Sequence, residues 1–303
     1  MPYLPLAALP GTLWRKGRYY VARHLQSVYV KELTARNLFF AASTPNKEKK
    51  VYGGASLEAT NDHFAYRFCA SVMRLQNALL DTQGKFGDVP KDIIQTFSSH
   101  RVSMLDIPCG TGAGGLGLIS VIHELRLAGL VPTLPLDIDI LAGDVSPYAL
   151  EIYRSQMNDL AAVVKSAGIG ITLTTIVWDA FDLASSNKLC SVWENAAFQG
   201  VEGFVLVTNF SGAGDKMFPQ LQESFRHISV RVSHKNDTLL WVEPGGPSGK
   251  SFLSKVLKSI GSLFGHAHAE TQEPPCSEAK WWHDLHNCEH PVKTAIQQYE
   301  RRQ

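Results

Sequence analysis

The sequence predicts an α/β chain, a mainly parallel sheet with helices on both faces, preceded by a helical N-terminal stretch. Three observations predict it. A short apolar strand, Val102 to Ile107, runs into the glycine-dense turn Cys109-Gly-Thr-Gly-Ala-Gly114 and then into a long helical pattern. Strand-like and helix-like segments alternate from there to about residue 265, which is the signature of parallel strands joined by helical crossovers. Acidic residues stand just past successive strands, at the edge where ligands bind in such sheets.

Taken in order, residues up to about 100 read as helical, with patterned stretches near Tyr19 to Phe40 and Asn61 to Leu80. Between them, Ser43 to Lys50 and the pair Gly53-Gly54 supply turn chemistry and charge, so a mobile connection is expected. A second break, Gly84 to Pro90, leads through a short helical stretch to the first core strand. A helix from about Gly114 to Leu130 ends at Gly129 and Pro132. The strand Ile138 to Ala142 follows, and Ser146-Pro147 opens a helix reaching about Ala167. The β-branched run Ile171 to Val177 is the third strand, Gly203 to Thr208 the fourth and Thr238 to Val242 the fifth. An amphipathic helix then carries Leu253, Val256, Leu257, Ile260 and Leu263.

The chain has 303 residues and 45% hydrophobic content, enough for a substantial core. Its apolar start is broken by prolines and followed, not preceded, by Arg15, Lys16 and Arg18, the wrong order for a secretory signal. No apolar run reaches the roughly 18 residues that a membrane span needs. Five widely spaced cysteines argue against a disulfide framework and for a reducing, cytoplasmic setting. Net charge is only +1, but residues 1 to 50 carry a local +7 and residues 101 to 190 a local −4. The basic arm interleaves Arg15, Lys16, Arg18 and Arg23 with Trp14, Tyr19, Tyr20 and Tyr29. Such an arm can neutralise phosphates and stack on unpaired bases, so RNA is a candidate partner; the other reading is a solvated helical face.

Glycines at positions 110 and 112 let the backbone turn sharply and let a ligand approach the start of the next helix. Asp106 beside the turn would repel a polyphosphate and favours a ligand with a cationic centre, hydroxyls or amines. Asp144 lies just past the second strand and Asp179 just past the third; capping of the following helix is the alternative role for either. The segment Leu105-Asp106-x-x-x-Gly110-Thr111-Gly112 resembles the first motif of class I S-adenosylmethionine-dependent methyltransferases, with Pro108 where many members carry a glycine. This resemblance implies a Rossmann-like class I methyltransferase sheet and S-adenosylmethionine as cofactor. Carried over position by position, it makes Asp106, Cys109, Gly110 and Gly112 the cofactor turn, Asp144 with Val145 the ribose site and Asp179 with Ala180 the adenine site.

The loop Thr208-Asn-Phe-Ser-Gly-Ala-Gly214 occupies the place that such enzymes give to substrate-facing residues. Its Asn209 is the candidate catalytic residue or, alternatively, a helix cap. No general base stands out, and methyl transfer from a sulfonium needs little beyond alignment. Glu243-Pro-Gly-Gly-Pro-Ser-Gly-Lys-Ser251 imitates the end of a P-loop but misses its spacing by one residue, Pro244 standing where glycine is needed. The same segment is similar to the Val-Glu-Pro-Gly-Thr-x-x-Gly stretch of methyltransferase-like proteins associated with the small ribosomal subunit.

Residues 266 to 303 show no strand pattern, whereas class I methyltransferases finish with a further pair. An incomplete sheet edge, covered by a protein partner or a second copy, is therefore expected. Cys276, His283, His286, Cys288 and His290 could make a tetrahedral zinc site or be helical aromatics with exposed histidines, and no metal ligand is assigned among them. Three regions result: a helical lid or platform at 1–100, the cofactor domain at 101–265 and a Cys/His-rich tail at 266–303. The leading function is methyl transfer from S-adenosylmethionine, with RNA as the acceptor. A catalytically inactive binding or assembly factor is the alternative, and a P-loop-like NTPase stands behind both.

Overall fold

The computed structural model describes residues 2–45, 53–195, 202–211, 218–232, 238–260 and 273–300. Lys47, Lys49, Lys50, the loop residues 212–214 and Leu263 lie outside the described residues. One nine-stranded sheet organises the chain. Its strands are β1 (Trp14–Arg15), β2 (Arg18–Tyr20), β3 (Arg101–Asp106), β4 (Leu136–Asp144), β5 (Ile169–Val177), β6 (Glu202–Thr208), β7 (Thr238–Pro244), β8 (Cys276–His283) and β9 (Cys288–Glu300). Their order is β1-β2-β8-β9-β7-β6-β3-β4-β5. Strands β3 to β7 are mutually parallel, and β9 runs antiparallel to both β7 and β8. The chain steps outward from β3 to β4 and β5, then returns to β6 on the other side of β3. In sheets with such a reversal ligands bind in the crevice outside the carboxyl ends of the strands.

The helices are α1 (Arg23–Ala35), α2 (Phe39–Ser43), α3 (Leu57–Leu80), α4 (Val89–Thr96), α5 (Ala113–Leu127), α6 (Pro147–Val164), α7 (Leu183–Asn195), α8 (Phe218–Val232) and α9 (Pro247–Ile260). Side chains alternate along each central strand and feed two separate apolar clusters. Met104, Phe204, Leu206, Leu240 and Val242 pack toward α3, α5 and α6, while Leu105, Val205, Val207, Leu239 and Trp241 pack toward α7, α8 and α9. This two-sided burial explains why the strands read as continuous apolar runs. The N-terminal residues Leu25, Tyr29, Phe64, Phe68, Val72 and Leu75 share the first cluster with Met104, Leu116 and Tyr153. Each fully buried side chain of this kind is worth about 1.5 to 3 kcal/mol, so α3 is fixed on α5. No helix among the described residues is long and apolar enough to cross a membrane.

Two expectations are overturned. The first is the all-helical N-terminus: Trp14 to Tyr20 form a hairpin, with Trp14 opposite Tyr19 and Arg15 opposite Arg18. Lys16 and Gly17 both have positive φ, 52° and 75°, the twist that a two-residue hairpin loop requires. The hairpin is latched to α3 by Gln76, whose amide donates to the carbonyls of Leu13 (3.0 Å) and Tyr20 (3.2 Å). The second is the strandless tail. Ser277, Ala279, Trp281 and His283 alternate inward along β8, which pairs with β9 from Cys276–Ala295 to His283–Cys288. The aromatic and histidine content hid an ordinary period of two. These strands close the sheet with an antiparallel pair beside β7, and β2 continues beyond β8 in parallel. The reason for expecting a partner on an unfinished edge is thereby removed.

Candidate functional site

The glycine turn is built on the ends of β3 and β4. Cys109 N–H donates to the Gly143 carbonyl at 2.9 Å, and Gly112 N–H returns to the Cys109 carbonyl at 2.9 Å. Gly110 (φ +53°) then donates its N–H to Asp144 Oδ2 at 2.9 Å. A Cβ placed on Gly110 would meet nothing within 4 Å, so this backbone is open to close approach. Gly112 (φ +88°) has the opposite surroundings: a Cβ there would stand 2.1 Å from the ring of Tyr153. Cys109 is buried, and burial pushes its thiol well above the usual range, so it acts as packing.

Asp106 lies beneath this turn and not in the open crevice. It is fully buried, its Oδ2 accepts from Tyr153 OH at 3.0 Å, and its Oδ1 has no hydrogen-bond partner among the described residues. Burial raises its pKa from 3.8 to about 7. In this conformation it braces the turn against α6 through Tyr153. The residue that pairs with it, Tyr153, gave no sequence signal beyond its apolar helical position.

Asp144 ends β4 with both carboxylate oxygens engaged. Oδ2 accepts from Gly110 N–H and Oδ1 from Ser146 N–H at 2.8 Å, each oxygen keeping one lone pair. Burial raises its pKa, and the two N–H groups oppose that shift. Val145 beside it is 44% exposed, an apolar surface on the same edge. The Asp144 carbonyl also receives Trp178 N–H at 2.9 Å, which ties the next acid to this one. Asp179 is half-buried, with Oδ1 accepting from Phe181 N–H at 2.9 Å, and Ala180 is buried. Gly110, Asp144, Val145 and Asp179 thus meet along one edge, as expected.

Asn209 stands across β3 from these acids, after β6. Its φ of +56° and its N–H bond to the Val242 carbonyl (2.9 Å) show a tight turn, not a helix cap. Its Oδ1 accepts from Arg74 Nη1 at 2.7 Å. Arg74 comes from α3, which sequence reading did not connect to the site, because only the packing of α3 over α5 brings it there. Burial lowers its pKa to about 10 despite the attraction of Glu243. His63 and Arg67 precede it on α3, and burial together with the charges of Arg67 and Arg74 holds His63 down to about 4. Glu243 is the other unforeseen member. It is fully buried, with Oε1 accepting from Phe210 N–H (2.7 Å) and Trp241 Nε1 (2.8 Å) and Oε2 from Ser211 N–H (3.0 Å), so it fixes the loop after β6. The Val-Glu-Pro-Gly motif was its signal.

Two further sequence readings change. Tyr19, Tyr20 and Tyr29 are buried in the core and cannot stack on bases. Arg18 lies 3.5 Å from Glu289, while Arg15, Lys16 and Arg23 remain exposed. At the P-loop-like segment, a Cβ on Gly249 would stand 2.0 Å from the Pro244 carbonyl oxygen, and Lys250 faces Glu273 at 3.8 Å. The turn is closed on itself and offers no phosphate cradle.

No protein-family model matches the chain, and no curated protein matches it in sequence. Solved structures with similarity include a precorrin-6y C5,15-methyltransferase from Geobacter metallireducens, 12% identical, covering 70% of this chain and 88% of that one, with a TM-score of 0.35. An O-methyltransferase from Bacillus cereus bound to SAH is 11% identical over 90% of each chain, with a TM-score of 0.36. An rRNA methyltransferase from Streptomyces viridochromogenes is 12% identical, covering 67% of this chain and 81% of that one, with a TM-score of 0.29.

Proposed function

We propose that this chain binds S-adenosylmethionine along the carboxyl ends of β3, β4 and β5 and transfers its methyl group to an acceptor on the β6 side. One observation carries the reading: the open, positive-φ Gly110 donates its N–H to the carboxylate of Asp144, with Asp179 at the end of the next strand. That set fits a nucleoside. The free lone pairs on Asp144 suit a ribose diol, exposed Val145 suits an adenine face, and Asp179 suits the adenine amino group. When bound, S-adenosylmethionine supplies a methyl group activated by its sulfonium charge. The chain's own contribution is alignment: Glu243 holds the loop carrying Asn209, and Arg74 fixes the Asn209 amide.

The acceptor side carries the guanidinium of Arg74 with that of Arg67 near it, while His63, held down to about 4, stays neutral; the two arginines support an anionic acceptor. Exposed Arg15, Lys16 and Arg23 support RNA in that part, with the N-terminal helices as its platform. Five free cysteines support a reducing, cytoplasmic setting. A binding protein without catalysis is the second reading. It is favoured by the buried Glu243, whose carboxylate is engaged by Phe210 N–H, Trp241 Nε1 and Ser211 N–H in fixing this loop and so serves structure rather than proton transfer.

Calorimetric titration with S-adenosylmethionine tests the proposal. Asp144→Ala should weaken binding by about 1.5 to 3 kcal/mol in a protein that still folds. Unchanged affinity refutes the assignment. Binding without transfer to any RNA or small anionic acceptor selects the second reading.

A further inference from the structure

We propose that His286, Cys288 and His290, at the tip of the β8–β9 hairpin, form a binding site for a divalent transition-metal ion, zinc being the expected occupant. The donor atoms already converge: His286 Nδ1 lies 3.1 Å from His290 Nε2, and Cys288 Sγ lies 3.3 Å from the same nitrogen. All three donors fall within 4.8 Å of one another. Tetrahedral zinc with ordinary bond lengths holds pairs of nitrogen ligands about 3.3 Å apart and nitrogen and sulfur about 3.6 Å apart, so the two pairs at His290 are already near coordination spacing and rotation of the Cys288 side chain would bring in the third.

The fold places these groups deliberately with respect to one another. Cys288 and His290 are two residues apart on β9 and therefore share a face, directly across from His283 and Trp281 on β8. His286 folds back from the connecting turn. Its Nε2 lies 3.0 Å from the Ala42 carbonyl in α2. A carbonyl only accepts, so Nε2 carries the proton and the Nδ1 lone pair is left facing Cys288 and His290. Metal-ligating histidines are commonly oriented in this way by their second nitrogen. His283 fixes the ring further: the two imidazoles stack at 3.7 Å with 4° between planes, and His283 Nδ1 accepts the His286 backbone N–H at 3.3 Å. Trp281, 3% exposed with its ring 5.5 Å from that of His290, walls one side against water.

Without a metal the three atoms compete for one hydrogen bond at His290 Nε2. Protonated, it donates to His286 Nδ1 and leaves the Cys288 thiol no acceptor there; unprotonated, it accepts the Cys288 S–H and leaves the His286 Nδ1 lone pair facing that same nitrogen. A cation satisfies all three donors. Three protein ligands leave a fourth position for solvent or an exogenous ligand. Cys276, at the opposite end of β8 with Sγ 3.7 Å from the Gly245 carbonyl, is outside the site. Through His286 and Ala42, the ion would tie the hairpin tip to the N-terminal helices at the carboxyl edge of the sheet.

The test uses the full chain, stripped with a chelator and titrated with Co²⁺ and then Zn²⁺. One equivalent of Co²⁺ should bind with tetrahedral visible bands and a thiolate charge-transfer band, and Zn²⁺ should displace it. Cys288→Ser should abolish the charge-transfer band and weaken Zn²⁺ binding by more than about 100-fold, whereas Cys276→Ser should change neither. Absence of a stoichiometric thiolate-bearing cobalt complex in the folded wild-type chain overturns the proposal, whatever the variants do. So does zinc binding that survives both Cys288→Ser and His290→Ala. In that case the ion belongs at the second cluster, His24, His123 and Glu124, and His24→Ala should remove it.

Discussion

Asp106→Asn should change how stability depends on pH, and the structure fixes the sign. Burial raises the pKa of Asp106 from 3.8 to about 7, so folding favours the protonated carboxyl. A raised acid contributes fully below its unfolded pKa, and the contribution is lost as pH rises through the folded value. A shift of about three units corresponds to about 4 kcal/mol between the two limits, of which more than half falls between pH 5 and pH 8. Asparagine keeps the shape and accepts from Tyr153 but never ionises. Urea denaturation of both proteins at pH 5, 6, 7 and 8 reads the effect. The stability of wild type minus that of the variant should fall by about 2 to 3 kcal/mol across this range. Taking the difference cancels Glu243, which burial shifts in the same direction, while Asp144, whose charge helps to raise Asp106, titrates with it as a pair. A difference independent of pH would refute the account of Asp106 as a buried brace beneath the glycine turn.

The two turn glycines should respond differently. Gly112→Ala places a Cβ against Tyr153 in a left-handed conformation and should cost about 2 to 4 kcal/mol of stability, read by thermal melting. Gly110→Ala meets open space, so it should cost only about 1 to 2 kcal/mol while impairing S-adenosylmethionine binding. Equal melting losses with no binding defect would contradict the cradle. For the RNA reading, Arg23→Ala should flatten the log–log dependence of RNA affinity on salt by about 0.7 to 0.9. An unchanged slope, or no RNA binding near physiological salt, would leave the exposed arm as a solvated surface.

The core was legible in the sequence because its signals are local. β3 to β7 are short apolar runs, helices α5 and α6 begin at glycine and Ser-Pro boundaries, and the acids follow their strands directly. The edge joining Gly110, Asp144 and Asp179 follows from parallel topology, which puts every strand's carboxyl end on one side. The two hairpins were missed for different reasons. The Lys16-Gly17 loop lies inside a basic aromatic stretch that also fits a helix, and β8 carries its period of two on Ser277, Ala279, Trp281 and His283 rather than on large aliphatic residues.

What the sequence determined by itself was the order of elements, the glycine turn and the acids at the strand ends, since each depends on neighbours within a few residues. Tertiary structure decided the rest. Arg74 reaches Asn209 across 135 positions of chain, and Ala42 reaches His286 across 244. Asp106 is buried as a brace beneath the turn because Tyr153, 47 residues away on α6, donates to it. Burial and long-range hydrogen bonding set the charge and direction of these side chains, and neither is encoded by local spacing.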